Sequence, residues 1–152
     1  MTTNWNAIVF SVLAACAGAC IAMQAAANGA FRRNLATPWF ATFFSICGTI
    51  AFALTLMLIF RPAAPSMDAV RSTQWWNWIG GPLGTLIVLA GAALIPQLGA
   101  GAFIALVVAG QLLASVLLDH FGLMGLPAIE ITLGKVAGVL LVIAGVVCIK
   151  FL

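Results

Sequence analysis

Residues 16–33 read CAGACIAMQAAANGAFRR, an apolar run that carries two carboxamide side chains and ends in two arginines. Similar apolar runs recur along the 152 residues, of which 64% are hydrophobic and only 6% charged. A soluble domain carries about 25% charged residues, so this chain has too few to cover a water-facing surface. The runs approach the ~20 residues that cross a bilayer and lack period-2 alternation, which predicts an integral membrane protein built from helices.

Five apolar segments account for most of the chain and predict a single all-α transmembrane domain over residues 1–152. We expect its five helices at about 6–27, 38–60, 75–94, 99–118 and 131–152. Pro38 suits the first turn of a helix, where the missing N–H costs nothing. Pro62 and Pro65 end the second helix, because neither can continue its hydrogen-bond ladder. Residues 95–99, IPQLG, predict a tight hairpin between the third and fourth helices.

Three tryptophans follow the longest polar connection of the chain. Indole rings prefer the headgroup layer of a bilayer, so this cluster is predicted to anchor the chain at a membrane interface. The predicted anchors are Trp75, Trp76 and Trp78.

The basic residues divide evenly between the two sides of the membrane. With five spans, one side receives Arg61, Arg71 and Lys135, and the other receives Arg32, Arg33 and Lys150. The positive-inside rule orients a protein by an imbalance of Lys and Arg, which is missing here. One interpretation is dual topology, in which copies insert in both orientations and pair as an antiparallel homodimer. The alternative is an orientation chosen by a weaker bias or by a partner subunit.

Polar residues form a stripe on one face of three helices: they recur every four positions in the first and fourth helices, and Thr42, Ser45 and Thr49 share one side of the second. Amides and carboxylates in hydrocarbon are costly unless they face partners or water, so these stripes predict a cavity for a solute. The alternative for the two glutamines is hydrogen bonding between helices. The first stripe is Cys16, Cys20, Gln24, Asn28 and Arg32, and the second is Gln111, Ser115 and Asp119. The candidate pathway residues are Gln24, Asn28, Gln111 and Ser115.

Other polar residues in the apolar segments have local explanations beside functional ones. Thr42, Ser45 and Thr49 can donate to carbonyls of their own helix. Asp119 and His120 stand at a helix end, where they are candidates for proton coupling or gating, or equally for a cap or a structural Asp–His bond.

Small residues mark two faces suited to helix association. The first helix carries an alanine-rich and glycine-rich face, and the fifth carries Gly134, Gly138 and Gly145 along one side. Gly134 and Gly138 form a GxxxG motif, which lets helix backbones approach closely within one subunit or between subunits.

Several function classes are excluded by composition. The single histidine and three carboxylates form no spaced metal set, and no activated nucleophile is evident, so we expect no catalytic residue, metal or cofactor. Six scattered basic residues make no nucleic-acid footprint. The four cysteines lie in apolar segments, as small hydrophobes do. No Lys or Arg precedes the first run, so no cleaved signal peptide is expected.

Several short motifs together resemble a known family. They are Gln24, Asn28-Gly29 and Arg32, then Trp75-Trp76 with Gly80-Gly81, then VVAGQ at 107–111 and LDHFG at 118–122. The chain resembles the YdcZ-like family of the drug/metabolite transporter superfamily, which is related to the small multidrug resistance proteins. The resemblance implies a multi-pass protein of the prokaryotic inner membrane, and for single-gene members an antiparallel homodimer. The glutamate that small multidrug resistance proteins carry in their first helix has no counterpart here.

Three hypotheses for function follow. The first is a permease or exporter of a small polar or amphipathic solute, working as an antiparallel homodimer in the lipid bilayer. The second is a passive channel for a small ion or solute. The third is a membrane scaffold or partner subunit that transports nothing.

Overall fold

A computed structural model describes residues 4–152 and consists of helices joined by short connections. Two 3-10 turns, Trp75–Trp78 and Leu123–Gly125, lie between them. Within residues 4–152, five segments are long and apolar enough to cross a membrane, which confirms the predicted number of spans. The helices are α1 (Trp5–Leu35), α2 (Pro38–Phe60), α3 (Met67–Arg71), α4 (Gly80–Leu98), α5 (Ala100–Phe121) and α6 (Leu133–Phe151).

Helix α1 extends eight residues beyond its expected end at residue 27. The polar residues there do not end it, because Asn28 and Gly29 are buried in the bundle. The last turn carries two arginines, which interact favourably with the carbonyl end of a helix dipole. The helix ends at Leu35, where Ala36 is left-handed and Thr37 is extended, as a residue before proline prefers. At about 1.5 Å per residue, α1 is about 46 Å long and exceeds the ~30 Å hydrocarbon layer.

Helix α2 spans Pro38–Phe60, the range expected from its prolines. At its start the side chain of Thr37 accepts a hydrogen bond from the backbone N–H of Trp39 at 3.4 Å. Thr42 and Thr49 bond back to their own helix as expected, whereas the Ser45 hydroxyl makes no such bond among the described residues. Thr55 Oγ1 also bonds back, to the carbonyl of Ala51 at 2.9 Å. Thr42 Oγ1 donates to the carbonyl of Pro38 at 2.8 Å, and Thr49 Oγ1 donates to the carbonyl of Ser45 at 3.1 Å.

Helix α4 passes through Pro96 and ends at Leu98, four residues beyond the expected end at residue 94. A proline has no N–H, so Pro96 leaves the carbonyl of Ala92 without its helical donor. Membrane helices tolerate such a break where neighbouring groups compensate. Gln97 Nε2 donates to the next carbonyl, that of Ala93, at 3.2 Å and does not replace the donor missing at Ala92. The predicted hairpin is therefore a single residue, Gly99, whose positive φ of 81° favours glycine.

Helix α5 continues to Phe121, so Asp119 and His120 lie in its last turn and not beyond it. Gly122 ends the helix with a φ of 59°. The carbonyl of Asp119 accepts hydrogen bonds from the N–H groups of Gly122 at 3.3 Å and Ile129 at 2.7 Å. The backbone of Asp119 thus ties the end of α5 to the connection that leads to α6.

Four of the described helices, α1, α2, α4 and α5, pack together and leave an open cavity between them. Helix α1 packs along α4, α2 contacts both of them, α5 contacts α4 and α1, and α6 packs on α5. The buried side chains are mostly small, so the backbones approach closely. A Cβ built on Gly91 of α4 would lie 3.5 Å from the Cβ of Ala25 of α1.

Candidate cavity between four helices

A cavity of about 550 Å³ lies between α1, α2, α4 and α5. Its size falls within the ~300–1,000 Å³ typical of small-molecule sites. Most of its wall is aliphatic, and four polar side chains interrupt it. The polar residues are Gln24, Thr49, Thr85 and Gln111, and the aliphatic ones are Ile21, Ile46, Ile50, Ile87 and Val88.

Two carboxamides from different helices meet at this cavity. Gln24 comes from the predicted stripe of α1 and Gln111 from that of α5. Thr49, from the predicted stripe of α2, lines the same cavity. Both side chains are exposed in the single chain, as is Thr49, and the cavity is therefore open on one side. Each carboxamide supplies two N–H donors and one carbonyl acceptor, which suits recognition of a polar group of either kind.

The two threonine hydroxyls are already engaged as donors. Thr49 Oγ1 donates to the carbonyl of Ser45, and Thr85 Oγ1 donates to the carbonyl of Gly81, both at 3.1 Å. A hydroxyl has one hydrogen and two lone pairs, so each threonine retains acceptor capacity toward the cavity. The donors available in the cavity wall are therefore mainly the amide groups of the two glutamines.

Three glycines at the start of α4 make room for the cavity. Gly80, Gly81 and Gly84 line it, and a Cβ built on any of them would meet no described atom within 4 Å. Side chains there would project into the open space. From the sequence, Gly80 and Gly81 were noted only as part of a motif that resembles the family. Gly84 was not predicted. The pattern that could have found it is three glycines within five residues, directly after the tryptophan cluster.

Asn28 is buried in the bundle and is not among the residues that line the cavity. Its side chain is 5% exposed, and its Nδ2 has no hydrogen-bond partner among the residues that the structure describes. Next to it, a Cβ on Gly29 would lie 2.8 Å from Cγ2 of Ile95, so only glycine fits there. One turn further, Arg32 Nη1 donates to the carbonyl of Ala93 at 3.1 Å. This end of the first stripe therefore packs against α4.

The remaining pathway and coupling candidates lie away from the cavity. Ser115 is exposed and donates to the carbonyl of Leu112 at 2.9 Å. Asp119 is half-buried, and the ring of His120 stacks edge-to-face on Phe121 at 4.8 Å between centroids. Asp119 is eight residues beyond Gln111, a rise of about 12 Å along α5.

The tryptophan cluster stands immediately before the cavity glycines. Trp75 and Trp78 are exposed, and Trp76 is half-buried. Trp78 Nε1 donates to the hydroxyl of Thr73 at 2.9 Å, which holds the 3-10 turn against the preceding connection. Exposed indoles at the start of a membrane-length helix suit the predicted interface, and their role as anchors stays a prediction.

The glycine face of α6 is open in the single chain. A Cβ on Gly138 or Gly145 would meet no described atom within 4 Å, and one on Gly134 would meet only Thr132 Oγ1 at 3.8 Å. Neighbouring helices of the same subunit therefore do not pack on these glycines over the described residues.

The side chains that could ligate a metal are scattered over residues 4–152. No group of three or more His, Cys, Asp or Glu side chains is placed to hold an ion there. The four cysteines are free and exposed.

Five membrane-length helices over residues 4–152, four of which line an open, partly polar cavity, define a small multi-pass membrane protein of the helical class. The family model described as "Putative inner membrane exporter, YdcZ" matches residues 9–148. The chain therefore belongs to this family of inner membrane proteins, and the resemblance seen in its motifs is confirmed. The family description is that of a transport protein and not of an enzyme.

Among curated proteins, the chain is similar to "Inner membrane protein YdcZ" of Escherichia coli (strain K12), with 31% identity over 101 residues. The matched stretch covers 66% of this chain and 66% of that relative, just under two thirds of either. No solved structure matches the chain.

Proposed function

We propose that the chain is an exporter of a small amphipathic solute and that the cavity between α1, α2, α4 and α5 holds the solute. The observation that carries the proposal is the meeting of Gln24 and Gln111 in that cavity. The family description, an inner membrane exporter, supports the same function.

The exposure of the two glutamines favours a transport pathway over a purely structural role. A polar side chain facing lipid is costly, so membrane helices direct such groups toward partners, water or substrate. Neither Gln24 nor Gln111 has a side-chain hydrogen bond within the described chain, whereas Gln97 does. Glutamines that served only to join helices of one subunit would be expected to bond across them.

We further propose that the working unit is an antiparallel homodimer. Three observations support it: the cavity is open on one side, the glycine face of α6 is free, and the basic residues divide three to each side of the membrane. A second copy in the opposite orientation would cover exposed polar and small-residue surfaces that lipid solvates poorly. The site would then be built at the interface between inverted copies, as inverted repeats build it in single-chain transporters.

Release of a fluorescent solute from proteoliposomes tests the transport proposal. Vesicles are loaded with one of three naphthalene compounds of matched shape: 3-(1-naphthyloxy)-1,2-propanediol, (1-naphthyloxy)acetic acid or 2-(1-naphthyloxy)ethylamine. We expect the protein to accelerate release of at least one, with a rate that saturates with concentration. In the double variant Gln24→Leu with Gln111→Leu, the release rate should be at least tenfold lower, because the solute loses both polar partners.

The matched control is Gln97→Leu, which makes the same chemical change outside the cavity and should leave the rate unchanged. Unfolding temperatures of all variants identify any loss caused by misfolding. Release of all three compounds at the rate of protein-free vesicles would contradict transport by this cavity.

Reporter fusions test the antiparallel assembly. A C-terminal reporter that is active only in the cytoplasm and another that is active only outside should both give signals within about twofold, since the charge balance favours neither orientation. Adding two lysines after Leu152 should shift the ratio strongly toward the cytoplasmic reporter. Activity of only one reporter in the unmodified chain would rule out dual topology.

A further inference from the structure

We infer that the cavity selects uncharged amphipathic molecules, those with an apolar body and a hydroxyl, carbonyl or amide group at one end. The inference rests on the proposed function, and it names the class of solute that the cavity would take. Four features of the cavity carry it: its lack of ionisable groups, the capacity of its amides, its aliphatic wall and its size.

None of the described residues that line the cavity is ionisable. The closest charged residues along its own helices are remote. Arg32 is eight residues beyond Gln24 on α1, and Asp119 is eight residues beyond Gln111 on α5, each a rise of about 12 Å. Arg32 is further committed to the carbonyl of Ala93. A charged solute would therefore find no counter-ion among the residues of one chain that line the cavity.

An ion that enters the cavity without a counter-ion loses more hydration free energy than its contacts with the cavity wall give back. Taking an ion out of water is strongly unfavourable unless a charged partner and further hydrogen bonds compensate. The start of α4 at Gly80 offers an anion only the small stabilisation of a helix N-terminus, which is several times weaker than that penalty. A cation would find carbonyl and hydroxyl oxygens but no carboxylate. Both signs of charge are thus disfavoured relative to a neutral polar group.

The polar groups present do suit an uncharged partner. Gln24 and Gln111 each donate and accept, so together they can satisfy a hydroxyl or an amide completely. Thr49 and Thr85 add acceptors only, because their hydrogens are donated to their own helices. This set is small, so a solute that is polar all round, such as a free sugar, would leave groups unpaired against the aliphatic wall.

The aliphatic side chains fix the other end of the molecule. Isoleucine and valine side chains from α1, α2 and α4 surround the amides, so an apolar body gains from leaving water. The volume of about 550 Å³ admits a body of one or two fused rings with a short polar tail. Naphthalene compounds are therefore suitable probes.

The test compares binding of the same three naphthalene compounds, which share one body and differ in charge. The full chain is purified in detergent at pH 7, and the fluorescence anisotropy of each compound is titrated. We expect the neutral propanediol to bind at least tenfold more tightly than the carboxylate and the ammonium compound. The Gln24→Leu, Gln111→Leu variant should weaken binding of the propanediol at least tenfold, and the Gln97→Leu control should not.

Partition into detergent is removed by subtracting a titration of protein-free micelles. If the double variant fails to fold, the ranking of the three compounds on the unmodified chain still decides the inference. Equal or tighter binding of either charged compound would overturn it, and so would absence of saturable binding by the propanediol. Transport is judged separately by release from proteoliposomes, so a charged solute that binds and is released would overturn the selectivity and leave the proposed function standing.

Discussion

Gly29→Leu is expected to lower the stability of the protein by at least about 3 kcal/mol, the upper part of the range for overpacked cores. A Cβ at Gly29 would already lie 2.8 Å from Cγ2 and 3.0 Å from the Cβ of Ile95. Ile95 is β-branched and stiff, so it cannot rotate out of the way cheaply. Helices α1 and α4 would have to separate, which would also disturb the hydrogen bond from Arg32 to Ala93. At about 2–4 °C per kcal/mol, thermal unfolding in detergent should fall by about 6–12 °C.

The control for this prediction is Gly18→Leu in the same helix. A Cβ on Gly18 would meet no described atom within 4 Å, so a leucine there should change the unfolding temperature by only a degree or two. A Gly29 variant as stable as the Gly18 variant would show that α1 and α4 do not cross as closely as the structure has them.

Gly84→Phe is expected to abolish solute release while leaving the fold intact. Gly84 lines the cavity and has open space in front of its Cα, so a benzyl group can enter the cavity without displacing a neighbour. An aromatic ring would occupy much of the room that a solute needs. We expect at least a tenfold loss of release rate from proteoliposomes and an unfolding temperature at or above that of the unmodified chain, because the ring buries apolar surface.

Gly48→Phe serves as its control. Gly48 lies on α2, has equally open space and does not line the cavity, so the same substitution there should leave release unchanged. Equal rates for the Gly84 and Gly48 variants would mean that solute passes elsewhere.

The number of spans could be predicted from the sequence because it depends on local properties. Apolar length decides which segments cross the membrane, and Pro38 and Pro62 mark the two ends of α2 without help from other helices. The ends of α1 and α4 could not be found this way. Asn28, Gly29 and Arg32 resemble a helix end in isolation. In the structure, however, Asn28 is buried, Gly29 packs against Ile95 of α4, and the partner of Arg32 lies 61 residues away in the chain. Pro96 similarly suggests a break that the bundle tolerates.

Helical periodicity predicted which polar residues share a face of one helix. It could not predict how different helices contact one another. A spacing of four placed polar residues on one face of α1 and of α5, and the structure brings Gln24 and Gln111 to one cavity. The same spacing could not show that Asn28 is buried and does not line the cavity, or that Gly29 beside it packs against Ile95 of α4. It also could not show that Gly84 lines the cavity, since glycine has no side chain and adds nothing to a periodic pattern of polar residues.

The connections between the helices differ in length, and this difference matters for protein engineering. Residues 61–66 are exposed and have no regular secondary structure, whereas Gly99 alone joins α4 to α5. Loop entropy rises slowly with length, so an epitope tag or a fluorescent protein placed within 61–66 costs little folding energy. The same insertion at Gly99 would separate two helices that one residue holds in register. Labels for imaging or single-molecule work therefore belong in the connection after α2.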